Sequence, residues 1–177
     1  MSELDEAWAA ALAEAERRAR YSGRTDIADY LALKNSNDLL RTAGIEWLIA
    51  SFTAIAAELN RIGSSLEMNQ QDGHRFKVGN STMVGRSLTL KNGVRALVVE
   101  AGWPRTPRDG IVRGGGLAYA SLRHVGIKSA SDELLLSKST NGTPCWISVV
   151  NEHGPKSGVR ESDLRRHLAI LLDRHHG

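Results

Sequence analysis

Three arginines and a run of glycines in one short stretch form the most chemically suggestive segment of this sequence. Arg105, Arg108 and Arg113 are followed directly by Gly114-Gly115-Gly116. Guanidinium groups bind carboxylates and phosphates through paired hydrogen bonds, and the open backbone N–H groups of glycines add further donors. Trp103, just before the arginines, would supply an apolar wall. The segment predicts an anion-binding site whose residues are Trp103, Arg105, Arg108, Arg113, Gly114 and Gly115.

A purely structural interpretation of the same segment is the alternative. Pro104 and Pro107 restrict the backbone, so the segment reads as a rigid loop. Its arginines would then pair with nearby acids such as Glu100 and Asp109. Glycines inside a strand region commonly mark a bulge or a close backbone approach. The segment lacks a P-loop lysine and the strand–G-x-G-x-x-G–helix context, which excludes it as a nucleotide-binding fingerprint.

Residues suited to catalysis are scattered through the sequence. His74, His124 and His153 form no helical i, i+4 pair and no local cluster with acids, so no metal site is predicted. His124 ends a strand-like run, where a solvated histidine is expected. Cys145 lies in an apolar run and is expected to be a buried structural thiol. The sequence specifies no cofactor and favours a non-enzymatic role, with an enzyme using His74, Glu100 or His124 as the remaining alternative.

Composition and charge change together near Gly63. Residues 1–62 contain two of the 17 glycines and no proline, whereas residues 63–177 contain the others. The first part carries 7 Lys and Arg against 10 Asp and Glu, and the second carries 16 against 10. An acidic helical region therefore precedes a basic region rich in turns.

Three helices are predicted before this change. The first spans Leu4 to Tyr21 with a cap at Ser2, and the second begins at Thr25 and ends near Lys34. The polar residues 35–38 then offer several capping side chains for a third helix that ends at Gly63. The third helix has apolar residues every three or four positions, namely Leu48, Phe52, Ile55, Leu59 and Ile62.

The region after Gly63 alternates with period two, which is typical of strands. Asn92-Gly93 and Asn141-Gly142 each separate two strand-like runs and predict hairpins. A two-residue turn at the second pair would place Leu136 opposite Ile147 and Leu134 opposite Val149. A final helix is predicted from Asp163 to about Arg174, capped by Ser162.

These patterns predict an α+β fold. N-terminal helices precede an antiparallel β-meander of about six or seven strands and a C-terminal helix, with the long helix packed on the sheet. A single domain over 1–177 is expected. Its parts are a helical arm at 1–34, the long packing helix at 36–62, the meander at 64–150 and the last helix at 162–174.

The cysteine count, the N-terminal residues and the length of the apolar runs bear on the cellular location. One cysteine excludes an internal disulfide framework. The first six residues are acidic where a signal peptide would be basic, and no apolar run approaches about 20 residues. The sequence therefore predicts a cytoplasmic protein without a membrane partner.

The leading functional hypothesis is a non-catalytic soluble binding domain for an anionic small ligand, held in a sheet–helix pocket or on a basic rim. An alternative is a protein–protein assembly module, in which acidic helices meet the basic sheet of a partner or a second copy. A second alternative is a weak binder of nucleic-acid backbones. That alternative is less favoured, because single-strand readers usually add stacking aromatics and this chain has few.

Overall fold

The computed structural model describes residues 3–149 and 158–173, with the side chains of residues 3–6 and 8 excepted. Within these residues, three α-helices accompany a six-stranded antiparallel sheet, which confirms the predicted α+β fold. The predicted cap at Ser2, His153, Arg174 and most of the 151–158 loop lie outside the described residues.

The elements follow one another in a simple order. The helices are α1 (Glu3–Tyr21), α2 (Thr25–Arg61) and α3 (Glu161–Leu171). The strands are β1 (Glu67–Val78), β2 (Ser81–Asn92), β3 (Arg95–Trp103), β4 (Ala118–His124), β5 (Asp132–Lys138) and β6 (Pro144–Ser148). Each strand pairs antiparallel with the next, so the sheet is a meander in chain order.

The main core lies between one face of the sheet and two helices. The second half of α2 contributes Leu48, Phe52 and Ile55, which are at most 3% exposed. Leu88, Leu90, Leu97, Val99, Leu122, Leu134, Leu136 and Trp146 face them from the sheet, and Leu164 and Leu168 of α3 complete the cluster. The apolar stripe predicted from sequence therefore covers the sheet, as expected. We call this side of the sheet the helix face.

Helix α2 is continuous where the sequence predicts two helices. It passes through residues 35–38 without interruption. Asp38 does not cap a new helix there. Its carboxylate accepts a hydrogen bond from Arg41, and its carbonyl accepts one from the Thr42 hydroxyl. Since no glycine or proline forces a break, the capping side chains are used within the helix instead.

The predicted register of the second Asn-Gly hairpin is wrong by one residue. Leu136 pairs with Trp146, and Leu134 pairs with Ser148. The turn is wider than two residues, because the Ser139 N–H donates to the Thr143 carbonyl across it. A one-residue shift moves every side chain of a strand to the other face. Trp146 is therefore buried in the core in place of Ile147.

Two element boundaries also differ slightly from prediction. Helix α3 begins at Glu161, so Ser162 lies in its first turn, and the Arg160 N–H donates to the Asp163 carboxylate. The β2–β3 hairpin forms as expected at Asn92-Gly93, but Asn92 is itself paired with Arg95.

The opposite side of the sheet, which we call the outer face, carries a smaller apolar cluster. Met83 and Tyr119 from the strands pack there with Val112 from the β3–β4 connection. Phe76 of β1 packs against the same cluster. The connection therefore acts as a partial cover for the outer face.

Among the described residues, α2 is the one helix long and apolar enough by composition to cross a membrane. In this fold its residues Leu48, Ile49 and Phe52 are buried beneath the sheet. The core helix of a globular protein meets the same criterion of length and hydropathy.

Candidate functional site

The connection between β3 and β4 is held against the rest of the chain at several points. It contains short 3₁₀ turns at Pro107–Asp109 and Arg113–Gly115. Ser81, at the start of β2, donates from its hydroxyl to the Ile111 carbonyl and accepts from the Ile111 N–H, at 3.0 and 3.3 Å. Fixed 3₁₀ turns and these tethers make the connection an ordered wall.

Trp103 ends β3 on the helix face and is flanked by two guanidinium groups. The Cζ atom of Arg105 lies 3.6 Å from the centre of the indole ring, and that of Arg41 lies 5.9 Å from it. Stacking of a cation on a tryptophan ring is favourable, most of all where water is partly excluded. Arg105 also donates to the Val84 carbonyl at 3.1 Å, which fixes its direction.

Arg41 connects α2 to the beginning of β4. Its Nε donates to the Leu117 carbonyl at 2.7 Å, and its Nη1 donates to the Asp38 carboxylate at 2.7 Å. The positions 34, 38 and 41 recur at helical spacing, so Lys34, Asp38 and Arg41 share one face of α2. This arrangement depends on α2 being continuous through residues 35–38.

A groove of about 610 Å³ lies between α1, the first half of α2 and the start of the β3–β4 connection. Its walls are mainly apolar. Tyr30, Leu33 and Leu39 remain 64, 59 and 56% exposed along it. The other apolar lining residues are Ala9, Leu12, Trp103, Pro104 and Pro107.

Positive charge predominates in the lining of the groove. Among the described lining residues, Lys34, Arg41 and Arg105 are cationic and Asp38 is the one carboxylate. The Asp38 carboxylate is paired with Arg41. A concave apolar site with a few convergent charges is the usual form of a small-molecule site.

The predicted site residues divide between two places. Trp103 and Arg105 line the groove, whereas Arg108, Arg113, Gly114 and Gly115 are outside its lining. The guanidinium of Arg113 lies beside the β1–β2 turn, where Nη2 would be 3.3 Å from a Cβ at Gly79. Gly114 and Gly115 adopt φ of +80° and +74° in a turn that packs near Leu135.

The sequence reasoning missed the contribution of α2 to the groove. The sequence analysis places Lys34 and Arg41 in no site, and it predicts a helix boundary between them. The signal that could have found them is the helical spacing of Tyr30, Lys34 and Arg41 along one face.

His74 and Glu100, named for the enzyme alternative, lie in contact on the outer face. His74 Nε2 is 2.6 Å from Glu100 Oε2, and the imidazole stacks on Phe76 with ring centres 5.7 Å apart. Nearby, the Tyr119 hydroxyl donates to the Glu133 carboxylate at 2.6 Å. Burial, with this hydrogen bond, raises the pKa of Tyr119, so the phenol stays protonated as a donor.

His124 lies on the helix face, apart from His74 and Glu100, and is 3% exposed. The expectation of a solvated histidine is therefore wrong. Its Nε2 lies 3.0 Å from Nδ1 of His167 on α3, and His167 Nε2 faces Asp132 at 3.9 Å. Burial, and then the neighbouring His167, lowers the pKa of His124 from 6.5 to about 4.

Asp132 completes this buried group. Burial alone would raise its pKa, but the nearby His167 and hydrogen bonds from the Ser148 hydroxyl and the Glu133 N–H hold the pKa below the usual range. Within residues 3–149 and 158–173, no group of three or more His, Cys, Asp or Glu is placed to hold a metal ion. The contacts of His167 with His124 and Asp132 join α3 to β4 and β5.

Comparison with protein-family models, with curated proteins and with solved structures gave no match for this chain. The geometry of the groove is therefore the basis for a proposed function.

Proposed function

We propose that this protein is a non-catalytic binding domain for an organic anion with an apolar body. The observation that carries the proposal is the position of Trp103, stacked by Arg105 and approached by Arg41, on the wall of a mainly apolar groove. An apolar body would contact Leu33, Leu39 and the indole ring. The anionic group would lie toward the cationic side chains, where charge-assisted hydrogen bonds are strongest.

The assembly alternative is less well supported, since acids on α2 pair within the chain. Glu46 accepts from Arg86 of β2 at 2.5 Å, and Glu58 accepts from Arg165 of α3 at 2.8 Å. These pairs neutralise some of the acidic charge of the helical region with basic residues of the same molecule. We also propose that this small-ligand binder is located in the cytoplasm.

Dodecanoate is a suitable probe because it joins a carboxylate to a long apolar chain. We expect it to bind with one molecule per chain in isothermal titration calorimetry. Two matched ligands separate the contributions: acetate has the same head without the tail, and dodecyltrimethylammonium has the same tail with the opposite charge. Both should bind at least about tenfold more weakly, a difference of about 1.4 kcal/mol.

Arg105→Gln should weaken dodecanoate binding by about tenfold, because one charge-assisted contact is lost. Arg113→Gln is the matched control, since Arg113 comes from the same connection but lies outside the groove lining. It should leave the affinity unchanged. Equal losses in the two variants, or no loss in Arg105→Gln with its fold intact by circular dichroism, would contradict the proposed site.

A further inference from the structure

The two edges of the sheet differ in how far they are covered by other parts of the chain. Strand β6 is short, begins with Pro144, and is covered along its outer edge. Its Ile147 forms a bridge with Gly158, and the Val159 N–H donates to the Trp146 carbonyl at 2.7 Å. Further strand pairing at that edge is therefore blocked.

Strand β1, by contrast, is an edge of 12 residues. In the described part of the chain it pairs with β2 alone, and its residues 67–73 are all exposed. An uncovered edge presents a row of unpaired backbone N–H and C=O groups, which is a template for another strand.

The charges of β1 are separated along its length. Glu67 and Asp72 lie in its first half, and Arg75 and Lys77 lie in its second half. Asp72 pairs with Arg86 of β2. Glu67, Arg75 and Lys77 form no ion pair within the described residues, unlike the paired acids of α2.

We infer that β1 binds β1 of a second copy of this chain, edge to edge and antiparallel, to form a continuous sheet across a two-fold axis. Antiparallel pairing places the acidic half of each strand against the basic half of the other. Opposite charges on facing strands stabilise the pair, and a two-fold interface makes each contact twice. This inference is independent of the groove, which lies on α1, α2 and the β3–β4 connection.

A bulge divides β1 into two arms. The register with β2 shifts between Asp72 and His74, close to the middle of the strand. A bulge disrupts pairing locally, so a long uninterrupted ladder cannot form. With the two-fold axis near Gly73, the arms 67–72 and 74–78 of one copy pair with the opposite arms of the other.

Sedimentation equilibrium of the full chain tests the inference, using two variants with opposite charge patterns. Arg75→Glu with Lys77→Glu makes β1 wholly acidic, and Glu67→Lys makes it more basic. We expect the wild-type protein to dimerise, and each variant alone to dimerise at least about tenfold more weakly. An equimolar mixture of the two variants should recover a heterodimer, because their strands are again complementary.

Circular dichroism and urea unfolding of each variant establish that the chain remains folded. Recovery of the dimer only in the mixture, with weakening at high salt, would support pairing through β1. A monomeric wild-type protein at about 100 μM, or a dimer unaffected by both charge variants, would overturn it. These outcomes are independent of dodecanoate binding.

Discussion

Replacing Gly85 by alanine is expected to lower the free energy of unfolding by about 4 kcal/mol, the range reserved for severe single substitutions. Gly85 of β2 pairs with Gly102 of β3. A Cβ at position 85 would lie 1.9 Å from the Ala101 carbonyl oxygen and 2.6 Å from the Gly102 Cα. Both are backbone atoms, which cannot move aside without opening the ladder between the strands. Urea unfolding measures the effect.

Gly93→Ala is the matched control for Gly85→Ala. Gly93 has φ +63°, and a Cβ there would meet no heavy atom within 4 Å. Its replacement should cost about 1 kcal/mol, from the left-handed backbone conformation alone. If Gly85→Ala lowers the free energy of unfolding no more than Gly93→Ala does, β2 and β3 do not approach each other closely at Gly85.

The close approach at Gly85 bears directly on the groove. The residues beside the glycine pair are Val84, whose carbonyl accepts from Arg105, and Trp103, which follows Gly102. A shift of β2 relative to β3 would therefore displace the indole wall. Those molecules of the Gly85→Ala variant that remain folded should bind dodecanoate more weakly than the Gly93→Ala variant does.

Acidification is expected to destabilise the protein by about 3 kcal/mol between pH 6.5 and pH 4, through His124. The pKa of His124 is lowered to about 4 in the folded chain. Below pH 6.5 the unfolded chain therefore takes up a proton that the folded chain does not. The free energy of unfolding therefore decreases as the pH falls from 6.5 to 4. Above pH 6.5 His124 is neutral in both states, and this contribution to stability is fully present. Urea unfolding at pH 7.0, 5.5 and 4.5 measures the slope.

His124→Gln should remove this slope, because glutamine can still hydrogen-bond to His167 but does not titrate. A further loss of stability below pH 3.8 should persist, since the lowered pKa of Asp132 favours the folded chain only while its carboxylate is ionised. Ile55→Val provides the control: it should lower stability by about 1 kcal/mol at every pH and keep the slope. An unchanged slope in His124→Gln would assign the acid effect to another group.

The sequence predicted those parts of the fold that repeat a pattern over many residues. The stripe at Leu48, Phe52 and Ile55 recurs over several turns, so its burial against a sheet followed from helical geometry. The Asn92-Gly93 hairpin followed from the positive φ required at Gly93, which the structure confirms. Such features depend on local geometry, which the residues themselves determine.

Features that depend on distant contacts could not be predicted in this way. Residues 35–38 are suitable caps, yet α2 continues through them, and Arg41 donates to both the Asp38 carboxylate and the Leu117 carbonyl. Trp146 takes the core position predicted for Ile147, since the turn width depends on polar contacts of Ser139 and Thr143. In each case a side chain had two compatible local roles and tertiary packing selected one.

The residues of the candidate site also fall into a group that local sequence predicts and a group that depends on distant contacts. Trp103 and Arg105 were identified from their own segment, where unusual composition was visible. Arg41 and Lys34 belong to a helix 60 or more positions earlier, and only the fold brings them to the same groove. Binding sites assembled from distant elements are invisible to motif reasoning unless each element carries a recognisable pattern.

A crystal structure of the protein grown with dodecanoate tests the central proposal most directly. We expect the alkyl chain along Leu33 and Leu39 against the Trp103 indole, with the carboxylate within hydrogen-bond distance of Arg105 or Lys34. Density for the ligand elsewhere on the chain, or a reversed ligand with its carboxylate away from these cations, would contradict the proposal. So would an empty groove in crystals grown with saturating dodecanoate.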